Sequence, residues 1–345
     1  MSIAAVRTIV EDPGWPALVE ALDPSVMIPF LNGAADVRST DAESLIWSAE
    51  VLKHKVGRRC TIRYDLHDTR GAPDTNRAVI GKLYRDLPSA ARVFRLMGTL
   101  RKRLFDSGEP FGIPAPLLLI SDLGLMLQQH AAGVELRDVL SISEQDRALY
   151  RAGQWLATLH MTPPPRGLEM KSLELEVDKI DRWCAETALH LGDDGAAGLR
   201  EAQNGLHQLA SRLPAYAPAL IHRDFYPANV FWDGERVWAL DFDELSIGDP
   251  AIDVAHFVAH LENFAYRTEG NIKPSERQGA TFLESYLSAG YIDVRLRLPF
   301  YKAYTLLKLA AKYARRQQQS DWRRLSHMMI NRACEEVTSG LREAS

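Results

Sequence analysis

One short stretch, residues 221–243, constrains the fold of this chain more than any other part of the sequence. It contains two apolar, strand-like runs joined by the Asp-Gly dipeptide at 233–234, which is typical of a tight β-hairpin turn. Asp224 and Asn229 precede the hairpin, and Asp241 ends its second run. Because a hairpin returns the chain towards its starting point, we expect Asp241 to face Asp224 and Asn229. Three oxygen-bearing side chains would then converge from one compact unit.

The spacing within this stretch matches the pattern H-R-D-x-x-x-x-N, which residues 222–229 satisfy. Phosphoryl transfer requires a carboxylate that accepts the proton of the attacking hydroxyl, and oxygen ligands that hold magnesium against the phosphates of a nucleotide. We therefore assign Asp224 as the catalytic carboxylate, and Asn229 and Asp241 as catalytic residues that bind the metal. Asp243 is either a further metal ligand or a residue that supports the site, and both alternatives stay open.

A cation from the N-terminal part of the chain is expected to hold the nucleotide phosphates. Residues 78–84 form a predicted strand, and Lys82 within it is placed like the lysine of the kinase pattern V-A-I-K. Residues 54–59 lie where a phosphate-binding loop is expected, and there we assign Gly57 and Arg58 to nucleotide binding. The basic side chains of this loop can replace the backbone N–H groups that a glycine-rich loop offers to phosphates.

Several segments resemble one known family. Residues 240–255 resemble the I-D-W-D…G-D-P…D-L-A segment of aminoglycoside phosphotransferases and of the related choline, homoserine and fructosamine kinases. Residues 152–160 are similar to the G-x-x-L-A-x-L-H helix of these proteins, and residues 126–133 resemble the hinge between their lobes. The resemblance implies that adenine pairs with the carbonyl of Gln129 and the N–H of Ala131. It also implies transfer of the γ-phosphoryl group of ATP or GTP, with Mg²⁺, to a hydroxyl of a small molecule.

The fold implied by this resemblance is an α+β, two-lobed protein-kinase-like fold with a small β-rich N-lobe and a larger helical C-lobe. We expect an irregular lead-in over residues 1–44, a nucleotide-binding sheet with one helix over residues 45–130, and a helical lobe with the catalytic loop and substrate site over residues 131–345. Helical periodicity predicts these helices: 90–105, 145–160, 173–191, 196–213, 250–266, 275–287, 295–316 and 322–338.

Composition and charge narrow the partners and the cellular location. A formal net charge of −4 and a pI near 6.2 give no reason to expect nucleic acid or an anionic membrane as a partner. The most apolar segment, residues 116–127, is short and carries Asp122, which argues against a membrane span. No signal peptide is visible, and three widely spaced cysteines indicate reduced thiols. We expect a cytoplasmic protein whose partners are a nucleotide and a small-molecule hydroxyl acceptor.

Two other functions are open to this sequence. A protein kinase is disfavoured, because residues 241–243 lack a glycine in third place and no A-P-E follows to close a peptide platform. A nucleotide-binding protein with little catalysis is favoured by the single glycine of residues 54–59 and by the absence of glutamate from residues 90–105, where a lysine partner is usual. The three polar residues at the hairpin argue against it.

The sequence leaves the acceptor open among aminoglycosides, sugars, amino alcohols and nucleoside-like molecules. A basic cluster near the C-terminus is typical of a solvated helix face. If it faces the cleft instead, it argues against a polycationic aminoglycoside. The cluster consists of Lys308, Lys312, Arg315, Arg316, Arg323 and Arg324.

Overall fold

The computed structural model describes residues 12–34, 45–68, 77–104, 110–289 and 292–343. The chain divides into two compact units, residues 1–132 and residues 133–345. The turn predicted between the first two strands falls mostly on residues 69–76, which lie outside the described residues.

A five-stranded antiparallel sheet forms the framework of the first unit. Its strands follow the order β1-β2-β3-β6-β5. Every second residue of β2 is buried, from Cys60 to Leu66, so this strand is half-buried as its sequence alternation predicts. The elements of the unit are α1 (Pro16–Leu22), α2 (Pro24–Ala34), β1 (Leu45–Lys55), β2 (Arg59–Asp68), β3 (Arg77–Tyr84), α3 (Leu87–Leu104), β4 (Phe111–Gly112), β5 (Pro116–Ile120) and β6 (Leu125–Gln129).

The expectation of an irregular lead-in is wrong for the described residues 12–34, because these form α1 and α2. Pro16 and Pro24 begin the two helices, at positions where the missing N–H costs no hydrogen bond. Leu18, Met27 and other apolar residues of this segment are buried in the same core as the sheet. Pro16 and Pro24 therefore mark helix starts in this segment rather than an irregular chain.

Helices dominate the second unit, and each predicted helix is found there or in α3, with bounds that differ by at most five residues. A 3₁₀ turn, Ile292–Arg297, precedes α10. The elements are β7 (Val134–Glu135), α4 (Leu136–Val139), α5 (Gln145–Met161), α6 (Leu173–Leu191), α7 (Asp193–Ala210), β8 (Ala219–Ile221), β9 (Val230–Trp232), β10 (Val237–Ala239), β11 (Ser246–Gly248), α8 (Ala251–Glu269), α9 (Lys273–Leu287), α10 (Leu298–Ala314) and α11 (Trp322–Glu343).

Two short antiparallel pairs of strands position the residues singled out by the sequence. β9 and β10 form the predicted hairpin, with Val230 opposite Ala239. β8 and β11, which the sequence pattern did not indicate, pair with Ile221 opposite Ser246. The segment with Asp224 and Asn229 leaves β8 and enters β9, so both of its ends are anchored. Within the described ranges, no helix is long and apolar enough to cross a membrane.

The packing of α1 against the sheet can be tested at Tyr64, whose hydroxyl donates a buried hydrogen bond to the carbonyl of Ala21 at 2.7 Å. Tyr64→Phe leaves this carbonyl without its donor, so we predict that the free energy of unfolding falls by about 1–3 kcal/mol in urea denaturation. Tyr150→Phe, at a residue that is 41% exposed, is the matched control and should change it by less than about 0.5 kcal/mol. Equal midpoints for the two variants would contradict this packing.

Candidate active site

The loop that follows β8 is held by one buried carboxylate. Asp253, in the first turn of α8, accepts the backbone N–H groups of His222 and Arg223, each at 2.6 Å. His160 Nε2 lies 3.1 Å from the same carboxylate, and His160 Nδ1 lies 2.9 Å from the hydroxyl of Tyr286. Burial opposes ionisation, but His160 and His222 outweigh it and hold the pKa of the Asp253 carboxyl below its ordinary value. Asp253 therefore has a structural role in holding this loop.

The backbone is strained at two places, one in this loop and one shortly after β10. Arg223 and Asp241 are the non-glycine residues with positive φ in the described part of the chain, at 70° and 68°. Such a conformation costs an L-residue about 1–2 kcal/mol, and an Asp tolerates it better than an Arg. Strain of this kind persists only where neighbouring interactions impose it, and it concentrates at functional sites. Asp241 is a predicted site residue, and Arg223 directly precedes the predicted base, Asp224.

Glu176 of α6 holds the side chain of Arg223. Its carboxylate accepts hydrogen bonds from the two terminal nitrogens of the guanidinium, at 2.6 and 3.3 Å. It also accepts hydrogen bonds from the ammonium group of Lys179 and the hydroxyl of Tyr304. Burial opposes ionisation of Glu176, but the hydrogen bond and charge of Arg223, with Tyr304 and Lys179, lower the pKa of its carboxyl to about 2. This ion pair compensates for the strained backbone of Arg223.

Asp224 and Asn229 meet within the loop. The side-chain amide of Asn229 donates from Nδ2 to the carbonyl oxygen of Asp224 at 2.9 Å. This hydrogen bond uses the nitrogen of the Asn229 amide and orients the whole amide group. The amide oxygen takes no part in the bond and can therefore bind a cation. The Asp224 carboxylate is 33% exposed, and its Oδ1 lies 3.8 Å from the Nζ of Lys308 on α10. Asp224 can therefore receive a substrate proton from solvent-accessible space.

The hairpin brings Asp241 back to this loop. Its ladder continues one step beyond the paired strands, because Leu240 donates its N–H to the carbonyl of Asn229 at 2.9 Å. Asp241 follows directly and begins the 3₁₀ turn Phe242–Glu244, which contains Asp243. Burial, and then the negative charges of Asp224 and Asp241, raise the pKa of Tyr226 to about 12. Both carboxylates therefore lie close enough to Tyr226 to raise its pKa, as expected if Asp224 and Asp241 converge on one site.

The donor set of this site fits magnesium. In the described segments, no three His, Cys, Asp or Glu residues cluster as ligands of a metal ion. Mg²⁺ does not need such a cluster, because it keeps several waters and is held by one or two carboxylates together with substrate phosphates. The amide oxygen of Asn229 and the carboxylate of Asp241 are donors of this type.

An aromatic cluster lies beneath the loop and fixes its shape. Trp155 of α5 stacks on Phe225 with ring centroids 5.2 Å apart, and His222 lies 4.9 Å from Phe242. All four side chains have an exposed fraction of 0%. His222 and Phe225 lie on either side of Asp224 in the chain, so packing of this cluster fixes the backbone on both sides of Asp224.

The first unit carries the residues assigned to the nucleotide. Lys82 lies in β3, paired with Thr61 on β2 and Met126 on β6, and is only 6% exposed. Gln129 ends β6, and its N–H donates to the carbonyl of Ala115 at 2.8 Å. Ala131 follows two residues later and is buried. These positions agree with a central lysine on the sheet and a connecting segment after β6.

Gly57 and Arg58 lie in the turn between β1 and β2. Gly57 has a φ of 65°, in the region that favours glycine, and donates its N–H to the carboxylate of Asp12 at 2.7 Å. Asp12 also contacts His54, with 3.2 Å between oxygen and Nε2. The donor that we assigned to a nucleotide phosphate is thus bonded to a carboxylate, which a phosphate must displace.

Sequence reasoning missed several residues of this site. Glu176 lies on a helix with ordinary amphipathic spacing, and nothing in that spacing reveals its pairing with a residue 47 positions away. Lys308 belonged to a cluster interpreted as solvated. His160 did carry a signal, since it ends the segment similar to G-x-x-L-A-x-L-H, but a helical histidine packs against neighbours by default.

Glu176 provides a test of the loop through pH. A carboxyl whose pKa lies near 2 instead of 4.5 stabilises the fold above pH 4.5, and this contribution disappears as the pH falls towards 2. We predict that Glu176→Gln is less stable than the wild type at neutral pH, and that the difference shrinks below pH 4.5. Urea denaturation over this range measures it, with Glu186→Gln, whose side chain is 49% exposed, as control. A difference that does not depend on pH would contradict the assigned role of the ionised Glu176.

Comparisons with known proteins identify the family of this chain. A choline kinase from Cryptosporidium parvum is similar in structure, with a TM-score of 0.62 and 10% sequence identity over 93% of this chain and 97% of that chain. A choline/ethanolamine kinase family protein from Mesorhizobium loti gives a TM-score of 0.57 and 15% identity over 92% and 99% of the two chains. A variant of aminoglycoside 2'-phosphotransferase IIIa in complex with GDP gives 0.59 and 15%, over 93% and 97%.

These structures confirm the predicted α+β, protein-kinase-like fold. No curated protein matches the chain in sequence. The model of the phosphotransferase enzyme family (APH) matches residues 67–297, which is more than half of the chain and includes the whole loop from β8 to β11. The chain therefore belongs to the phosphotransferase enzyme family.

Proposed function

We propose that this protein transfers the γ-phosphoryl group of ATP or GTP, with Mg²⁺, to a hydroxyl of a small molecule. One observation carries the proposal: the Asn229 side chain donates a 2.9 Å hydrogen bond to the backbone carbonyl of Asp224, and Leu240, the residue before Asp241, bonds to Asn229 in the hairpin ladder. This is the set of groups that phosphoryl transfer requires. Support also comes from structural relatives that are named as kinases of choline and aminoglycosides, one of them solved with AMP-PNP and hygromycin B.

Each of these residues has its own role in the proposed reaction. Asp224 orients the acceptor hydroxyl and takes its proton as the oxygen attacks the γ-phosphorus. The new P–O bond forms as the bond to the leaving nucleoside diphosphate breaks. Asn229 and Asp241 would hold magnesium, which supplies positive charge to the phosphate oxygens. Asp243, in the turn that Asp241 begins, is proposed as a further metal ligand or as a support for Asp241.

The first unit would hold the nucleotide. Lys82 is proposed to bind its phosphates by charge, and Gly57 and Arg58 to contact them from the β1–β2 turn. Gln129 and Ala131 would pair with the base through their backbone groups. The proposed location is the cytoplasm, where the three free thiols, Cys60, Cys184 and Cys334, stay reduced.

A second candidate is a nucleotide-binding protein with little catalysis. The bond from the Gly57 N–H to Asp12 favours it, because a carboxylate takes the place of a phosphate there. Release of ADP in the presence of Mg²⁺ and a panel of hydroxylated metabolites tests both candidates. Release that requires an acceptor supports the kinase, whereas nucleotide binding without release by any panel member supports the second candidate.

Asp224→Asn tests the proposed base. The amide keeps the shape of the side chain but cannot accept a proton, so we predict that kcat falls by about 10²- to 10⁴-fold. Nucleotide affinity should change little, because Asp224 is not assigned to nucleotide or metal. Steady-state kinetics and calorimetry of nucleotide binding give the two quantities. A near-normal kcat, or a loss of nucleotide binding instead, would contradict the assignment of Asp224 as the base.

Asp241→Ala tests the proposed metal ligand. We predict that turnover is abolished and that magnesium no longer strengthens nucleotide binding, while circular dichroism shows an intact fold. Asp243→Ala is the comparison: the same loss identifies a second ligand, and a weaker loss identifies a supporting residue. Activity and magnesium dependence that survive Asp241→Ala would remove Asp241 from the site.

A further inference from the structure

A cleft of about 240 Å³ opens beside the catalytic loop within the second unit. Tyr226, Pro227 and Ala228, which lie between Asp224 and Asn229, form one wall. Residues of α8, of α10 and of the segment after α10 form the others. His260 of α8 stacks on Tyr226 with ring centroids 4.4 Å apart, so the wall of the loop is fixed in place.

The charge of this cleft is strongly positive. Its described lining includes Arg137, Arg267, Lys312 and Arg316 and no acidic residue. Glu135 forms an ion pair with Arg137, so that cation is largely neutralised. Arg267 and Lys312 lie in the last turns of α8 and α10, where the two helix ends contribute about half a negative charge each. Arg267, Lys312 and Arg316 therefore make this lining basic, while the carboxylates of Asp224 and Asp241 act on Tyr226 from the side of the loop.

The neighbouring histidines experience the same field. Burial, and then the charges of Lys312 and Lys308, lower the pKa of His260 well below its ordinary value. Burial and then Lys308 do the same for His256. At neutral pH both imidazoles are therefore uncharged, so the positive charge of the lining comes from its lysine and arginine side chains.

The helix α10 connects the cleft to the catalytic carboxylate. Lys308 lies 3.8 Å from Asp224, and Lys312, four residues later on the same helix face, lines the cleft. The axial distance between these positions is about 6 Å. A small molecule can therefore place a hydroxyl at Asp224 and a second group among the cations of the cleft.

We infer that this cleft holds the acceptor and that the acceptor is an anion, a hydroxylated small molecule with a phosphate or carboxylate group. The inference rests on the proposed function and specifies its substrate class. A polycationic aminoglycoside or a quaternary amine would face like charges in this cleft, although Tyr226, Phe264 and Tyr313 give it aromatic walls. The anionic group binds Arg267, Lys312 and Arg316, and the hydroxyl approaches Asp224.

Binding of inorganic phosphate tests the anion site without any need for turnover. Calorimetric titration should show binding to the wild type and a loss of about tenfold or more in affinity for each cation removed, in Arg316→Gln and in the Lys312→Gln/Arg316→Gln double variant. Arg315→Gln is the matched control, since this neighbouring residue pairs with Glu186 and does not line the cleft. Absence of phosphate binding, or equal affinities in all four proteins, would overturn the inference.

Turnover of two acceptor panels tests the substrate class. One panel contains hydroxy acids and sugar phosphates, and the other contains choline and aminoglycosides. ADP release confined to anionic acceptors, reduced in the double variant but not in Arg315→Gln, supports the inference. Release confined to cationic acceptors overturns it. Absence of release with both panels counts against the proposed function, and the phosphate titration then still decides whether the cleft binds anions.

Discussion

The buried carboxylate of Asp253 is the interaction on which the catalytic loop depends. It accepts hydrogen bonds from two consecutive backbone N–H groups and lies within hydrogen-bond distance of His160. Its side chain is fully buried. An ionised carboxylate has acceptor positions for both N–H groups, and these bonds together with His160 favour its ionised form. Without this interaction the two backbone N–H groups would be buried without a hydrogen-bond acceptor. The strained conformation of the loop would then lose the bonds that stabilise it.

The strain at Arg223 and Asp241 is consistent with a site whose geometry matters more than local stability. At Arg223 the ion pair with Glu176 compensates for it, and that pair is largely buried, whereas the Asp224 carboxylate is 33% exposed. At Asp241 the left-handed backbone turns the chain out of β10 at the point where the carboxylate must meet Asn229. Three helices, α5, α6 and α8, thus hold the eight-residue loop 222–229 in a conformation that it would not keep alone.

Much of this arrangement could be predicted from sequence, because its signals are local. Hairpin chemistry at residues 233–234 gives β9 and β10, and helical periodicity gives α3 and α5 to α11 but not α1, α2 or α4. The H-R-D spacing singles out Asp224 and Asn229. The partners of the loop could not be predicted, because Glu176 and Asp253 meet Arg223 across 47 and 30 residues. The sequence named Lys308, Lys312 and Arg316 but left open whether they face a cleft, because helical spacing does not show which face of α10 packs beside Asp224.

The most direct test of the central claim is to follow the γ-phosphorus itself. Phosphorus NMR of the folded protein with ATP, Mg²⁺ and a mixture of hydroxylated metabolites should show the γ signal decline while a phosphomonoester signal grows. If the γ signal persists, or if inorganic phosphate is the sole product, while the protein binds nucleotide, the braced loop is not a phosphotransfer centre.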